Sequence, residues 1–179
     1  MSPRQRFITI ILTMLLATGA RAQTPPGATI GIYFDPAANF EYYMMTTAHP
    51  LLTYVCATRA ESMIGGAAFR VEMPTWIQLL SETFPAGLPI GDLMTGVELG
   101  LTTPLPVFGT DAAILATFVI LPPDYPFATL EILPHPSYAT PVLADSAGIV
   151  IEAVGAYGWL THPDPNETAS WSDVKTLFR

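Results

Sequence analysis

Charged residues are scarce in this chain. Of its 179 residues, 12% are Asp, Glu, Lys or Arg, about half the roughly 25% of an ordinary soluble domain. Basic residues are the fewest, seven against fifteen acids, and they form no cluster, so the sequence excludes the basic patch that binds nucleic acid. Apolar residues make up 50% of the chain, which excludes an intrinsically disordered protein.

The motifs that carry catalysis are also missing. The sequence has no Gly-x-Ser-x-Gly nucleophile elbow, no phosphate-binding glycine loop and no calcium-loop run of acids. The three histidines, His49, His135 and His162, each precede a proline, which places them in turns and not at metal-ligand spacing. The sequence therefore predicts no catalytic residue, no metal site, no cofactor and no enzyme. A hydrolase whose carboxylates converge only in space stays as an alternative.

The chain has a single cysteine, so it forms no internal disulfide. Cys56 lies in the apolar, strand-like run Leu51–Thr58, which favours a small buried residue. A reactive thiol or an intermolecular disulfide is the alternative for an odd cysteine outside the cell.

The N-terminus has the three parts of a secretory signal peptide. Arg4 and Arg6 precede an apolar run from Phe7 to Ala17, and Ala20-Arg21-Ala22 supplies a small-x-small cleavage site. The run is shorter than the ~20 residues of a membrane span, so we expect cleavage after Ala22, export to the periplasm or the extracellular space, and no transmembrane segment thereafter. Cleavage leaves four cations against fifteen acids, a formal net charge of −11 in place of −8.

The body of the chain alternates apolar and polar residues repeatedly, which is typical of strands with one face in a core. The chain has 18 prolines, and we expect them to fall in the breaks between these segments and not inside them, as strand chemistry requires. Two continuous apolar runs, Ala112–Leu121 and Gly148–Val154, suit central strands or strands whose outer face is an interface. The pattern predicts an all-β protein with a single antiparallel β-sandwich domain over residues 23–160. The clearest alternating sets are Ile30, Ile32 and Phe34; Ala67, Phe69, Val71 and Met73; Val97, Leu99 and Leu101; and Leu130 and Ile132.

Residues 161–179 differ in character from the body. A polar, proline-broken linker leads to Ser170–Arg179, which has the pattern of one short amphipathic helix. Its apolar face would carry Trp171, Val174, Leu177 and Phe178. Ten residues do not hold a helix alone in water, so we expect this tail to dock on its own domain, to dock on a partner, or to fray.

Aromatic residues at predicted outer strand positions or in loops are the remaining positive feature. Flat rings on a β-face stack against sugars, although aromatics are equally ordinary strand and core residues. Phe127, Tyr157 and Trp171 belong to this set, and the candidates for carbohydrate stacking are Tyr33, Tyr42, Tyr43, Tyr125, Tyr138 and Trp159.

Six stretches follow one another in a characteristic order: Leu52–Thr58, Ile64–Gly66, Ala68–Pro74, Trp76–Glu82, Ala113–Ile120 and Val142–Ile149. This order resembles the cohesin-like and carbohydrate-binding-module group of secreted bacterial β-sandwiches. The resemblance implies a cohesin-like or jelly-roll sandwich and an extracellular location. It does not carry over dockerin binding, because no calcium loop and no dockerin-contacting residues match position by position.

Together these features predict a secreted, non-enzymatic β-sandwich module for surface adhesion, scaffolding or protein–protein interaction. The expected partner is a protein or a polysaccharide at the cell surface. The alternatives are a carbohydrate-binding module that uses the exposed aromatics and an extracellular hydrolase.

Overall fold

The computed structural model describes residues 27–44, 49–122 and 127–161, and their regular structure is entirely β. The predicted signal peptide, Tyr125, His162 and the tail residues Trp171, Val174, Leu177 and Phe178 lie outside the described residues. The strands in chain order are β1 Thr29–Tyr33, β2 Tyr42–Met44, β3 Leu51–Thr58, β4 Ser62–Glu72, β5 Gln78–Thr83, β6 Gly87–Asp92, β7 Gly96–Val107, β8 Ala112–Leu121, β9 Phe127–Leu133, β10 Val142–Asp145, β11 Val150–Glu152, β12 Val154–Gly155 and β13 Tyr157–Thr161.

The strands form two sheets that pack face to face. The first has five strands in the order β12-β1-β3-β8-β5, and the second has eight, in the order β11-β10-β4-β9-β13-β2 with β7 beside β4 and β6 beside β7. Pairing is antiparallel except for two short parallel pairs at the sheet edges, β1 with β12 and β2 with β13. The predicted all-β sandwich is confirmed.

One continuous core fills the space between the sheets. The alternation seen in the sequence identifies its residues, since Phe69 and Val71 on β4 and Leu130 and Ile132 on β9 all point inward and are buried. Phe118 on β8 faces them from the five-stranded sheet. Burying each such side chain contributes about 1.5–3 kcal/mol, so the core holds the two sheets together.

Within the described ranges three prolines lie inside strands, contrary to the prediction that prolines fall only between strands. Pro89 is in β6, which pairs only with β7 and is therefore an edge strand. Pro104 and Pro106 are in the last part of β7, beyond Leu101, where the pairing with β6 has ended. A strand with one open side tolerates proline, because the missing N–H costs no ladder hydrogen bond there.

The two continuous apolar runs of the sequence occupy different positions in the sheets. Ala112–Leu121 is β8, which lies between β3 and β5 inside the five-stranded sheet, as predicted. Gly148–Val154 is not a central strand: the chain forms the edge strand β11, passes the buried Ala153 and continues as β12 at the edge of the other sheet. Ile149, Val150 and Val154 are exposed as a result.

Candidate functional site

A concave surface lies on the outer face of the second sheet, across β6, β7, β4, β10 and β11. Residues directly opposite one another in antiparallel strands point to the same side. The register therefore assigns two rows of outward side chains to this surface: Ile90, Glu98, Ala68, Val142 and Glu152 in one, and Leu88, Gly100, Gly66, Ala144 and Val150 in the other. We call this surface the trough.

Small residues make the floor of the trough. Ala68 and Val142 face outward, yet they are only 5% and 8% exposed, because taller neighbours shield them. The flanking Leu88 and Ile90 are 72% and 73% exposed. Val150 on β11 and Tyr138 also line this open depression, whose volume is about 270 Å³. The result is a depression with a floor of small residues and exposed apolar walls.

Two capped turns fix the walls of the trough. In the β10–β11 hairpin the Asp145 carboxylate accepts hydrogen bonds from the backbone N–H groups of Ala147 and Ile149, both at 2.8 Å, while Gly148 adopts φ +81°. In the β6–β7 turn the carboxylate of Asp92 accepts hydrogen bonds from the Thr95 hydroxyl and backbone N–H and from the Met94 N–H. These bonds, led by the Thr95 hydroxyl, lower the pKa of Asp92.

Two residues in the rows of the trough are charged, Glu98 and Glu152. Glu98 stands in one row, and its Oε1 lies 3.8 Å from Nδ1 of His135. The His135 ring packs over Gly96, where a Cβ atom would lie 2.6 Å from Cδ2 of the ring. The ring of Tyr138 lies 5.9 Å from that of His135, so the segment after β9 is held against the sheet and closes one side of the depression.

The aromatic candidates separate into different environments. Tyr42 and Trp159 are cross-strand neighbours on β2 and β13, and Tyr138 stands at the trough. Tyr43 is partly buried, with its ring 5.6 Å from Phe34. Tyr33 has the expected outer strand position, but it is only 4% exposed because its ring folds back over Gly31.

Cys56 is fully buried. It lies opposite Gly31 in the β1–β3 ladder, beneath the region that the Tyr33 ring covers. Burial, with a smaller contribution from the charge of Asp35, raises the pKa of the Cys56 thiol to about 12. The structure thus agrees with a small buried residue and not with a reactive thiol.

The histidines lie apart within the described residues. His49 contacts Tyr43, whereas His135 lies at the trough. The described part of the chain contains no group of three or more His, Cys, Asp or Glu residues placed to hold a metal ion. In the same ranges, no helix is long and apolar enough to cross a membrane.

Apart from Tyr138, a candidate for sugar stacking, the residues that build the trough were not predicted from the sequence as a site. Leu88 and Ile90 do alternate with Pro89 and Gly91, a pattern that indicates an exposed edge strand once proline is accepted there. Gly100 alternates with Leu99 and Leu101 and is therefore predicted to face outward. Its approach to Gly66 and Ala144 has no sequence signal, because pairing between distant strands brings the three residues together.

Solved cohesin structures are similar to this chain. A non-cellulosomal cohesin from the hyperthermophilic archaeon Archaeoglobus fulgidus gives a TM-score of 0.52 at 8% sequence identity, covering 80% of this chain and 96% of that one. The cohesin module of a family 33 glycoside hydrolase from Clostridium perfringens gives 0.52 at 9% identity, with 76% and 95% covered. A cohesin from Clostridium thermocellum, solved in a type I cohesin–dockerin complex, gives 0.51 at 9% identity, with 76% and 99% covered. No protein-family model and no curated protein sequence matches the chain. The chain therefore has a cohesin-like fold, as the resemblance implied.

Proposed function

We propose, starting from this cohesin-like fold, that the protein is a secreted, non-enzymatic module that docks a partner protein in the trough. The observation that carries the proposal is the trough itself, a concave apolar surface whose walls are exposed. Exposed apolar residues grouped around a depression favour a protein–protein interface, since a partner that covers them removes their surface from water. The Clostridium thermocellum neighbour was solved bound to a dockerin, which supports protein docking as a use of this fold.

The chemistry of the trough defines the partner that fits it. A floor of Gly66, Gly100 and Ala68 leaves room for a protruding apolar side chain, and Leu88 and Ile90 would pack against its flank. The two carboxylates in the rows, Glu98 and Glu152, favour a cation at the rim of the partner. The expected partner surface is therefore an apolar ridge bordered by Lys or Arg, and adhesion or scaffolding would follow from what that partner carries.

Blocking the trough tests this function. Gly100→Arg places a long charged side chain over the floor, and an added Cβ meets nothing within 4 Å, so we expect folding to be unaffected. The matched control is Leu52→Arg on the outer face of the other sheet, where the side chain is also exposed. The purified chain and both variants would serve as bait for the secreted proteins of the source organism, and the retained protein would then be purified for calorimetry.

We expect the unmodified chain and Leu52→Arg to bind the purified partner alike, and Gly100→Arg to bind it at least about tenfold more weakly, a loss of roughly 1.4 kcal/mol. Equal binding by all three proteins, or no retained partner, would argue against docking in the trough. N-terminal sequencing of the exported protein tests the secretion step, with Gln23 as the expected first residue.

A further inference from the structure

A second surface, separate from the trough, lies on the outer face of β9, β13 and β2. The register assigns three rows here. In the first Glu131 lies opposite Tyr157, and in the second Thr129 lies opposite Trp159, which in turn lies opposite Tyr42. A third row follows with Phe127 opposite Thr161. We call this surface the aromatic face.

The rings on the aromatic face are accessible and ordered relative to one another. Tyr42, Phe127 and Tyr157 are exposed. The rings of Tyr157 and Trp159 have centroids 6.1 Å apart and planes inclined by only 24°. These nearly parallel rings, two residues apart and on the same side of the strand, form an apolar strip along β13.

Polar groups hold the tyrosines and border the strip. The hydroxyl of Tyr42 forms a hydrogen bond with the Thr161 hydroxyl. The hydroxyl of Tyr157 is hydrogen-bonded to Glu131, and this bond, with the charge of the same carboxylate, raises the pKa of Tyr157. A carboxylate accepts several hydrogen bonds, so Glu131 keeps acceptor capacity for a ligand.

An open cavity continues the aromatic face beyond Glu131. It has a volume of about 370 Å³, and its walls include Glu72, Thr75, Thr129 and Glu131. Glu72 lies directly opposite Glu131 on β4, so two carboxylates and two threonine hydroxyls are concentrated beside the ring strip. This arrangement offers hydrogen-bond acceptors and donors immediately next to apolar ring surfaces.

We infer that the aromatic face binds a neutral polysaccharide, with sugar rings stacked along Tyr157, Trp159 and Tyr42 and sugar hydroxyls bonded to Glu131 and Thr129. A pyranose ring has an apolar C–H face and a hydroxyl rim, which matches an aromatic strip bordered by carboxylates and threonines. The negative charge of the carboxylates also favours neutral over anionic polysaccharides. Glu72 and Glu131, on a chain with fifteen acids and seven cations, repel uronic-acid polymers.

Affinity electrophoresis tests the inference on the full chain. Native gels would contain hydroxyethylcellulose, xyloglucan, xylan or mannan as neutral polymers, and polygalacturonate as the anionic one. We expect retardation by at least one neutral polymer and none by polygalacturonate. Tyr157→Ala and Trp159→Ala should each weaken binding by about tenfold or more.

Matched variants keep the result interpretable. Tyr138→Ala removes an exposed aromatic ring at the trough and should bind the polysaccharide unchanged. Because Trp159 is half-buried, the exposed Tyr157→Ala carries the test if Trp159→Ala unfolds, which circular dichroism would reveal. Gly100→Arg should also bind the polysaccharide unchanged, so this inference and the trough proposal fail independently.

Four results would overturn the inference. One is no retardation by any of the four neutral polymers, and another is retardation that survives both ring substitutions. A third is a dimer of the unmodified chain that Tyr157→Ala converts to monomer, since a second copy would then cover the face. The fourth is loss of the trough's protein partner in Tyr157→Ala, which would make the aromatic face part of that protein interface.

Discussion

The reactivity of the Cys56 thiol depends on two neighbouring residues of β1, Gly31 and Tyr33. The position of Cys56 in its strand directs the side chain away from the core, yet the residue is fully buried. Gly31 lies opposite it and, lacking a Cβ, leaves space for the Tyr33 ring to fold back over this part of β1. The cover keeps water from the sulfur, and a desolvated thiol resists ionisation.

We therefore expect the native protein not to react with a thiol reagent such as dithionitrobenzoate at pH 8, and to react fully once unfolded in guanidinium. In Gly31→Ala the new Cβ would lie 2.8 Å from atoms of the Tyr33 ring. The ring would have to move, and Cys56 should then react without denaturant. A native thiol that reacts at the rate of free cysteine would contradict this account of burial.

The same thiol makes stability fall at high pH. The pKa of Cys56 is about 12 in the folded protein and 9.0 as an ordinary value. Between these values the unfolded chain has released a proton that the folded chain keeps, so unfolding becomes easier as the pH rises above about 9. Denaturant titrations of the protein and of Cys56→Ala should therefore diverge in their pH dependence from about pH 9 upward.

At the scale of elements, the β10–β11 hairpin holds one wall of the trough. Asp145 fixes its turn through two backbone hydrogen bonds, and Val150 follows the turn as part of the wall. Asp145→Ala removes the Oδ1 atom that accepts both hydrogen bonds, and we expect the free energy of unfolding to fall by about 1 kcal/mol. Chemical denaturation gives that value, and calorimetry with the trough's partner should show weaker binding.

Asp145→Asn is the matched variant for this hairpin. Its amide oxygen still accepts a hydrogen bond at the turn, so most of the stability and of the partner binding should be retained. If Asp145→Ala binds the partner as tightly as the unmodified chain, the hairpin does not shape the docking wall.

The elements also show which parts of the molecule a sequence can reveal. Alternation along one strand identifies its inward face, so Phe69, Val71 and Leu130 were predictable as one-sided strand positions. The trough was not predictable. Alternation places Gly100 on an outer face, but the floor joins residues that are distant in sequence, and no pattern indicates that Gly66 and Gly100 lie side by side. Strand β6 was also not predicted, because it contains Pro89. A proline is accepted inside a strand only at a sheet edge, and the sequence does not show which strands lie at an edge.

The aromatic face, like the trough, is only partly predictable from the sequence. Tyr157 and Trp159 share a side because they are two positions apart in one strand, which the sequence does indicate. Tyr42 joins them only through the parallel pairing of β2 with β13, a contact between the two ends of the domain. Tyr33 and Tyr43 were equally good candidates for sugar stacking in the sequence, but Tyr33 is buried and Tyr43 packs on the core.

At the scale of the whole molecule, we expect the trough and the aromatic face to bind two different kinds of partner. The trough would hold a protein, and the aromatic face would hold a sugar polymer, both on the outer side of the eight-stranded sheet. Scarce charge then has a physical reason, since surfaces that partners cover tolerate few unpaired charges. A module with two such surfaces could join a protein to a polysaccharide.

The C-terminal segment completes the expected organisation of the chain. We propose that its apolar residues Trp171, Val174, Leu177 and Phe178 attach the module to a partner or to the cell surface. Deleting residues 168–179 should then leave the melting temperature of the domain unchanged, because the core between the two sheets contains its own buried cluster. Cell fractionation and calorimetry of the truncated chain should show reduced surface retention with normal stability. A lower melting temperature would instead mean that the tail docks on its own domain, and unchanged export, retention and assembly would refute its role.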